Sequence, residues 1–513
     1  VTYDAPGDAS SVGAHDRQVL HRLGYAQELL RRMGGFSNFA ISFSIICILA
    51  GGITSFQLGY SSVGGAAIGL GWPLSAGFSL CVALAMGQIA SAYPTAGGLY
   101  HWASILGGRD WGWVTAWLNL VGLVTVLSAI NVGLYLFVIR ALGPSLGIDP
   151  GRLTAWHQLA AILALTGLQA LVNHRGIRLT SRLTDGSGYL ILLVTVVLTG
   201  GLLLGARSLD LRRLVTVTNF SGAAGGNVWP EQHGLVMLFL LGLLLPAYTI
   251  TGFDASAHTA EETLDAERNV PQGMVRAVLW SSVAGYVMVC AFVLAMPDPA
   301  AAAAQGDGVV YWTMAQVLSA PVRLFCLVGI ALTQFLCGLA TVTSASRMVY
   351  AFARDGGLPL SGALRRVSPV HRTPAHAVWT VAALAALFTV YSPVYSTLTA
   401  VSVIFLYISY VLPVALGLAA YGRTWTTMGP WRLGRWYRPV AALCLVGCGG
   451  AIFIGVQPPN DLALRFTLGA LAVTALVWFG YERRRFRGPP IGDEVLRRQA
   501  AIRAAEASVG EAA

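Results

Sequence analysis

Residues 235–263 read LVMLFLLGLLLPAYTITGFDASAHTAEET. The stretch begins as an almost pure leucine run and then changes character. Tyr248, Thr249, Thr251, Gly252, Asp254, His258, Glu261 and Glu262 follow within fifteen residues. A helix in lipid must bond its own backbone groups, because hydrocarbon offers no partner. A glycine and a carboxylate inside such a run therefore predict a helix that unwinds beside a polar cavity and then resumes. A second interruption lies at 47–57, CILAGGITSFQ, with Gly51 and Gly52 near the middle of another apolar segment.

The composition sets the solvent. The 513 residues are 55% hydrophobic and only 11% charged, where soluble domains carry roughly 25% charged residues. Twelve apolar segments are long enough for membrane spans, at 36–57, 67–90, 112–139, 156–172, 186–205, 234–256, 273–296, 322–352, 376–391, 396–419, 438–456 and 463–480. Every one of the 33 basic residues is arginine, which excludes lysine chemistry. With the N-terminus inside, 26 arginines fall on the inner side and 7 on the outer. Both termini are therefore expected in the cytoplasm, despite Arg207, Arg212 and Arg213 in an outer loop. The net charge of +10 reads as anchoring to acidic headgroups, not as nucleic-acid binding. All seven cysteines (Cys47, Cys81, Cys290, Cys326, Cys337, Cys444 and Cys448) lie in apolar segments and read as small buried hydrophobes. No signal peptide, cofactor site or metal set is expected.

The expected organisation is an all-α integral membrane protein. Residues 1–35 form a cytoplasmic tail with an amphipathic stretch along the membrane surface. Residues 36–205 form a first five-helix repeat and 234–419 a second. Two further spans occupy 438–480, and 481–513 is a cytoplasmic tail. Helices one and six, interrupted at matching positions, point to a substrate site between two inverted halves. Glycine also serves simple close packing of helices, and the matched pair is what favours the site. Free N–H groups of Gly52, Ile53, Thr54 and Ser55 would suit a carboxylate. Free carbonyls of Tyr248, Thr249 and Ile250 would suit an ammonium group.

Four motifs then carry a resemblance. LGYAQELLRRMGGFSNFAISFSIICILAGGI (23–53), SAYPTAGGLYHWAS (91–104), GFDASAHTAEET with RNVPQG (252–263 and 268–273), and SASRMVYAFARDGGLP (344–359) stand in order. Together they resemble the amino acid/choline transporter family of the amino acid–polyamine–organocation superfamily. That family includes GABA permeases and plant bidirectional amino-acid transporters. The resemblance implies a LeuT-like five-plus-five inverted repeat and secondary transport of amino acids or related amines. It implies substrate contacts from Gly51, Gly52, Ile53 and Thr54, from Tyr248, and from Thr251, Gly252 and Phe253. It links Asp254 to proton coupling. Gln88 stands where relatives commonly carry a glutamate before the YPTAGG motif.

Asp254 is the one carboxylate expected well inside a span, and intramembrane acids are functional by default. Its alternative role is structural, bonded to nearby backbone. The rival ion is sodium. Ala340, Thr343 and Ser344 share a helix face, and with carbonyls of Ala50 and Ile53 they would form a sodium site, unless the hydroxyls bond back to their own helix. His258, Glu261 and Glu262 are expected at an inner gate, paired with Arg31, Arg32 or Arg268. Asn119, Asn131, Tyr407 and Tyr410 are expected to pack between helices. The competing functions are a choline or polyamine carrier, a non-transporting nutrient receptor on the same fold, and a membrane enzyme. No converging nucleophile, paired carboxylates or histidine cluster supports the enzyme.

Overall fold

A computed structural model describes residues 9–143, 147–222, 229–231, 234–391, 395–458, 460–490 and 493–510. Residues 1–8 and 511–513 of the expected tails, and 392–394 of the expected second repeat, lie outside the described residues. The described chain is helical throughout. Only two isolated bridges occur in it, Met33 with Thr263 and Tyr421 with Trp425.

The helices in order are α1 (Ala9–Arg22), α2 (Gly35–Ile46), α3 (Ile48–Thr54), α4 (Phe56–Val63), α5 (Gly65–Gly69), α6 (Gly71–Ala92), α7 (Leu99–Gly107) and α8 (Arg109–Ala141). Then come α9 (Ala155–His174), α10 (Ile177–Gly205), α11 (Leu235–Gly242), α12 (Leu244–Thr249), α13 (Ala255–His258), α14 (Ala266–Ala295), α15 (Pro299–Ala303) and α16 (Val309–Val317). The chain finishes with α17 (Ala320–Arg354), α18 (Ser361–Leu364), α19 (Ala375–Tyr391), α20 (Tyr395–Ala420), α21 (Tyr437–Gly455), α22 (Asp461–Val477), α23 (Arg483–Arg485), α24 (Asp493–Arg497) and α25 (Gln499–Gly510).

Among the described residues, ten helical stretches are long and apolar enough to cross a membrane. Two shorter apolar stretches, Leu235–Thr249 and Ala375–Val390, stand where the sixth and ninth spans are expected. The longest rods, α8 with 33 residues and α17 with 35, run to about 50 Å at 1.5 Å per residue. They exceed a hydrocarbon core of about 30 Å and so project beyond it or tilt. Both are largely buried. The outer helices are the reverse: α22 buries only Ala463 and Thr467, and Leu204, Val446 and Leu476 stand exposed. Such apolar surface suits lipid.

The first span breaks at Cys47 (φ 25°, ψ 81°), four residues before the glycine pair. The irregular backbone is stitched by side chains. Cys337 donates through Sγ to the Ile45 carbonyl at 3.2 Å, and Cys47 Sγ donates to the Thr333 carbonyl at 3.8 Å. Gly51 and Gly52 sit inside α3. A Cβ on Gly51 would lie 2.9 Å from the Thr249 Cα, so this glycine is where the two broken spans cross.

The second break falls where expected, between α12 and α13. Gly252 has φ +85°, and a Cβ there would lie 2.2 Å from the Ile45 Cγ2. Only glycine fits both the dihedral and the space. The polar face of α2 serves this break. Ser42 Oγ donates to the Phe253 carbonyl at 2.8 Å and accepts the Ser256 N–H at 3.0 Å. Asn38 Nδ2 donates to the Ser256 carbonyl at 3.0 Å.

Three local features refine this frame. The stretch 18–35 is not one surface helix. α1 stops at Arg22, Gly24 turns the chain at φ +82°, and the residues after it fold onto protein, burying Tyr25, Leu29 and Met33. Pro271 does not begin the seventh span. α14 starts at Ala266, with Asp16 Oδ1 and Oδ2 accepting the N–H groups of Ala266 and Asp265. The proline leaves the Glu267 carbonyl without its helical donor, and Ser91 Oγ fills that place at 2.7 Å. The C-terminal tail is docked, not solvated: Glu506 Oε1 lies 2.8 Å from His21 Nε2 and accepts the Gln27 N–H at 2.9 Å.

Substitution Gly252→Ala is expected to cost about 1–3 kcal/mol through the left-handed dihedral and the Ile45 clash. Gly77→Ala, with nothing within 4 Å of the new methyl, is the control that holds or raises stability. Thermal unfolding of the purified protein in detergent checks both.

Candidate substrate site and ion-paired gate

A small recess lies where α3 crosses the end of α12. Ala50, Gly51 and Thr54 line it from α3, and Tyr248, Thr249 and Thr251 from the second break. α8 adds Val126, Ala129, Ile130 and Gly133; α17 adds Gln334 and Cys337; Tyr395 closes one side. None of these side chains carries a full charge at neutral pH. The hydroxyls are mostly paired within the protein. Thr54 Oγ1 lies 2.6 Å from both the Ala50 carbonyl and the Tyr395 hydroxyl. Thr249 and Thr251 donate back to the Leu245 and Tyr248 carbonyls. The Tyr248 and Tyr395 rings meet edge to face at 6.2 Å.

The predicted residues divide. Gly51, Thr54, Tyr248, Thr249 and Thr251 line the recess. Gly52 turns instead toward Met288 and Trp72. Ile53 is buried in the apolar core, and Ser55 bonds back to the Gly51 carbonyl through both Oγ and N–H. The N–H groups expected to be free at 52–55 therefore lie within or just after α3. Ile250, Gly252 and Phe253 shape the break without lining the space.

The sodium candidates differ in what they touch. Thr54 donates to the Ala50 carbonyl. Thr343 Oγ1 lies 2.7 Å from Asn173 Oδ1 and 3.0 Å from the Leu339 carbonyl. Ala340 packs with Ile41, Ile45 and Ala255 in a separate cluster. Ser344 Oγ is buried without a partner among the described residues.

Asp254 is fully buried and closely held. Oδ1 accepts from the Tyr410 hydroxyl at 2.8 Å, and the same hydroxyl accepts the Gly252 N–H at 3.1 Å. Oδ2 accepts from Asn119 Nδ2 at 3.3 Å. Tyr410 and Asn119, expected as packing residues, thus belong to the carboxylate's shell, whereas Asn131 bonds Thr166 and Gln169 as helix packing. His258 Nε2 stands 3.3 Å from Oδ2, within ion-pair distance but not aligned as a hydrogen bond. His258 Nδ1 lies 3.1 Å from the Ala96 carbonyl. A carbonyl only accepts, so Nδ1 carries the hydrogen. Nε2 and Oδ2 then face each other as two acceptors unless one proton resides between them.

The gate acids find different arginines from those expected. Glu262 forms a two-pronged pair with Arg347, 2.8 Å to Nε and 3.0 Å to Nη2, both side chains fully buried. Glu261 pairs likewise with Arg354 at 2.8 and 3.0 Å and accepts the Ala96 N–H at 3.1 Å. Arg347 and Arg354 lie two turns apart on α17 and so share a face, a spacing visible in SASRMVYAFAR. Arg31 instead bonds the carbonyls of Ala260 and Thr263. Arg32 offers only its N–H, to the Glu262 carbonyl, and Arg268 pairs with Asp265. The YPTAGG loop packs beside these pairs, through Ala96 on Glu261 and His258 and through Gly98 beside His258. Beyond the pairs, Asp355 accepts from the hydroxyls of Tyr25 and Tyr100. Burial pushes its carboxyl above the usual carboxylate range, even with Arg354 beside it.

Ten apolar helices and a buried polar crossing define a multi-pass integral membrane protein. The sequence profile of the amino acid permease family matches residues 33–480. Amino-acid permease BAT1 of Arabidopsis thaliana is 33% identical, over 94% of this chain and 98% of its own length. Its homolog in Oryza sativa subsp. japonica is 32% identical, over 94% and 97%. A protein of Candida albicans named a putative polyamine transporter is 25% identical, over 92% and 89%. The chain belongs to the amino acid permease family and is a membrane amino acid transporter.

Replacing Glu262 with Gln leaves the Arg347 guanidinium buried without its counter-charge, which costs about 3–5 kcal/mol. The double change Glu262→Met with Arg347→Met is expected to lose less than either single change. Melting temperatures of the three variants test the ordering.

Proposed function

We propose that this protein is a secondary active transporter that carries a zwitterionic amino acid, GABA-like solutes included, by alternating access. The observation that carries the reading is the recess at the crossing of two broken spans, walled by neutral groups. A net-neutral solute enters such a site without leaving an unpaired buried charge. The proposed frame has twelve spans, with the shortened sixth and ninth counted. Helices one to five and six to ten form inverted repeats, in a plasma or inner membrane with both termini cytoplasmic. In that orientation the Glu262–Arg347 and Glu261–Arg354 pairs form the cytoplasmic gate, and it is closed.

Proton coupling is favoured over sodium. Asp254 and His258 stand 3.3 Å apart between the second break and the proposed gate, whereas Thr343 of the sodium candidates is engaged by Asn173 and Leu339. Protonation changes would then bear on Tyr410, which ties Asp254 to the backbone at Gly252. The chain's relation to a protein named a putative polyamine transporter raises a second reading, a carrier for amines. The neutral recess argues against it, since a polycation calls for facing carboxylates.

Uptake of labelled amino acids into proteoliposomes tests the assignment. Flux of a zwitterion is the expected result; binding without flux would point to a receptor. Asp254→Asn is expected to abolish the pH dependence of uptake, and an unchanged pH profile in that variant refutes the proton role.

A further inference from the structure

Gln334 is the unusual group in the recess. It lies on α17, one turn before Cys337, and is 1% exposed. Neither its Oε1 nor its Nε2 has a protein partner among the described residues. The other long amides of the interior are engaged: Gln169 and Asn131 bond each other, and Asn173 bonds Leu339. A buried amide left unpaired on both sides is costly, and this one lines the recess opposite the crossing.

We infer that Gln334 binds the transported solute directly and sets its charge class. This rests on the transport reading above and extends it. A carboxamide offers two N–H donors and a carbonyl acceptor, so it bonds either the carboxylate or the ammonium end of a zwitterion without adding charge. The hydroxyls around it are bonded within the protein, which leaves the amide as the side chain with free capacity on both sides. The nearest intramembrane acid, Asp254, is occupied by Tyr410 and Asn119 and does not line the recess. The site thus selects net-neutral solutes through an uncharged, two-sided contact.

Two variants test this. In proteoliposomes, Gln334→Met keeps the side-chain length and removes the hydrogen bonds. It is expected to raise KM for the best zwitterion roughly ten- to a hundredfold, with maximal rate held and the melting temperature of the solute-free protein held or raised. Gln334→Glu is expected to change which ligand stabilises the protein on heating, from alanine, GABA or glutamine to putrescine, an amine without a carboxylate. A KM within about twofold of wild type in the methionine variant overturns the inference while leaving transport intact. Should that variant fail to fold, an unchanged ligand order in Gln334→Glu overturns it equally. A wild-type protein that neither binds nor moves any of these solutes overturns the transport reading, and this inference with it.

Discussion

Backbone hydrogen bonding inside hydrocarbon governs this molecule. A helix that opens in a membrane exposes amide groups that lipid cannot satisfy, so each opening must be met by side chains from neighbours. Here two openings lie side by side, and each is served by the other's surroundings. Ser42 and Asn38 on α2 bond the backbone at Phe253 and Ser256. Tyr410 on α20 takes the Gly252 N–H, and Cys337 on α17 reaches the Ile45 carbonyl. The polar residues that look out of place in apolar spans are those that make the crossing possible, and the recess follows from the crossing.

Burial decides how the charges are arranged around that centre. Charges fully removed from water persist only when paired with good geometry. The two glutamates after the second break meet two arginines on one face of α17, and both contacts are two-pronged, the geometry that guanidinium and carboxylate favour. Among the described residues no arginine meets Asp254, which is held by the Tyr410 hydroxyl and the Asn119 amide with His258 beside it. The two glutamates are thus held by fixed positive charge and the aspartate by neutral donors.

The class and the second break are legible in the sequence because they rest on local composition. A glycine and a carboxylate inside a leucine run at 244–254 have few other meanings. The first break lies at Cys47 and not at the glycine pair, because glycine marks close approach as well as unwinding. Gly51 is where Thr249 comes near, and the bend itself falls on Cys47, whose thiol bonds the Thr333 carbonyl. The partners of Glu261 and Glu262 lie 93 and 85 residues away in sequence, and no local pattern selects Arg354 and Arg347 over Arg31. The roles of Tyr410 and Asn119 are hidden for the same reason: whether a polar group in a span packs or binds depends on what the fold sets opposite it. The i, i+4 pair Asn38 and Ser42 was the overlooked local signal.

α17 is one uninterrupted helix from Ala320 to Arg354. It carries Gln334 and Cys337 at the recess and Arg347 and Arg354 at the gate. A stiff rod of this kind has no hinge between its two working ends. Were the proposed gate to open by rotation of this rod, the arginines, Gln334 and Cys337 would move as one piece, and release at one end and regrip at the other would be a single movement, as in a rocker arm.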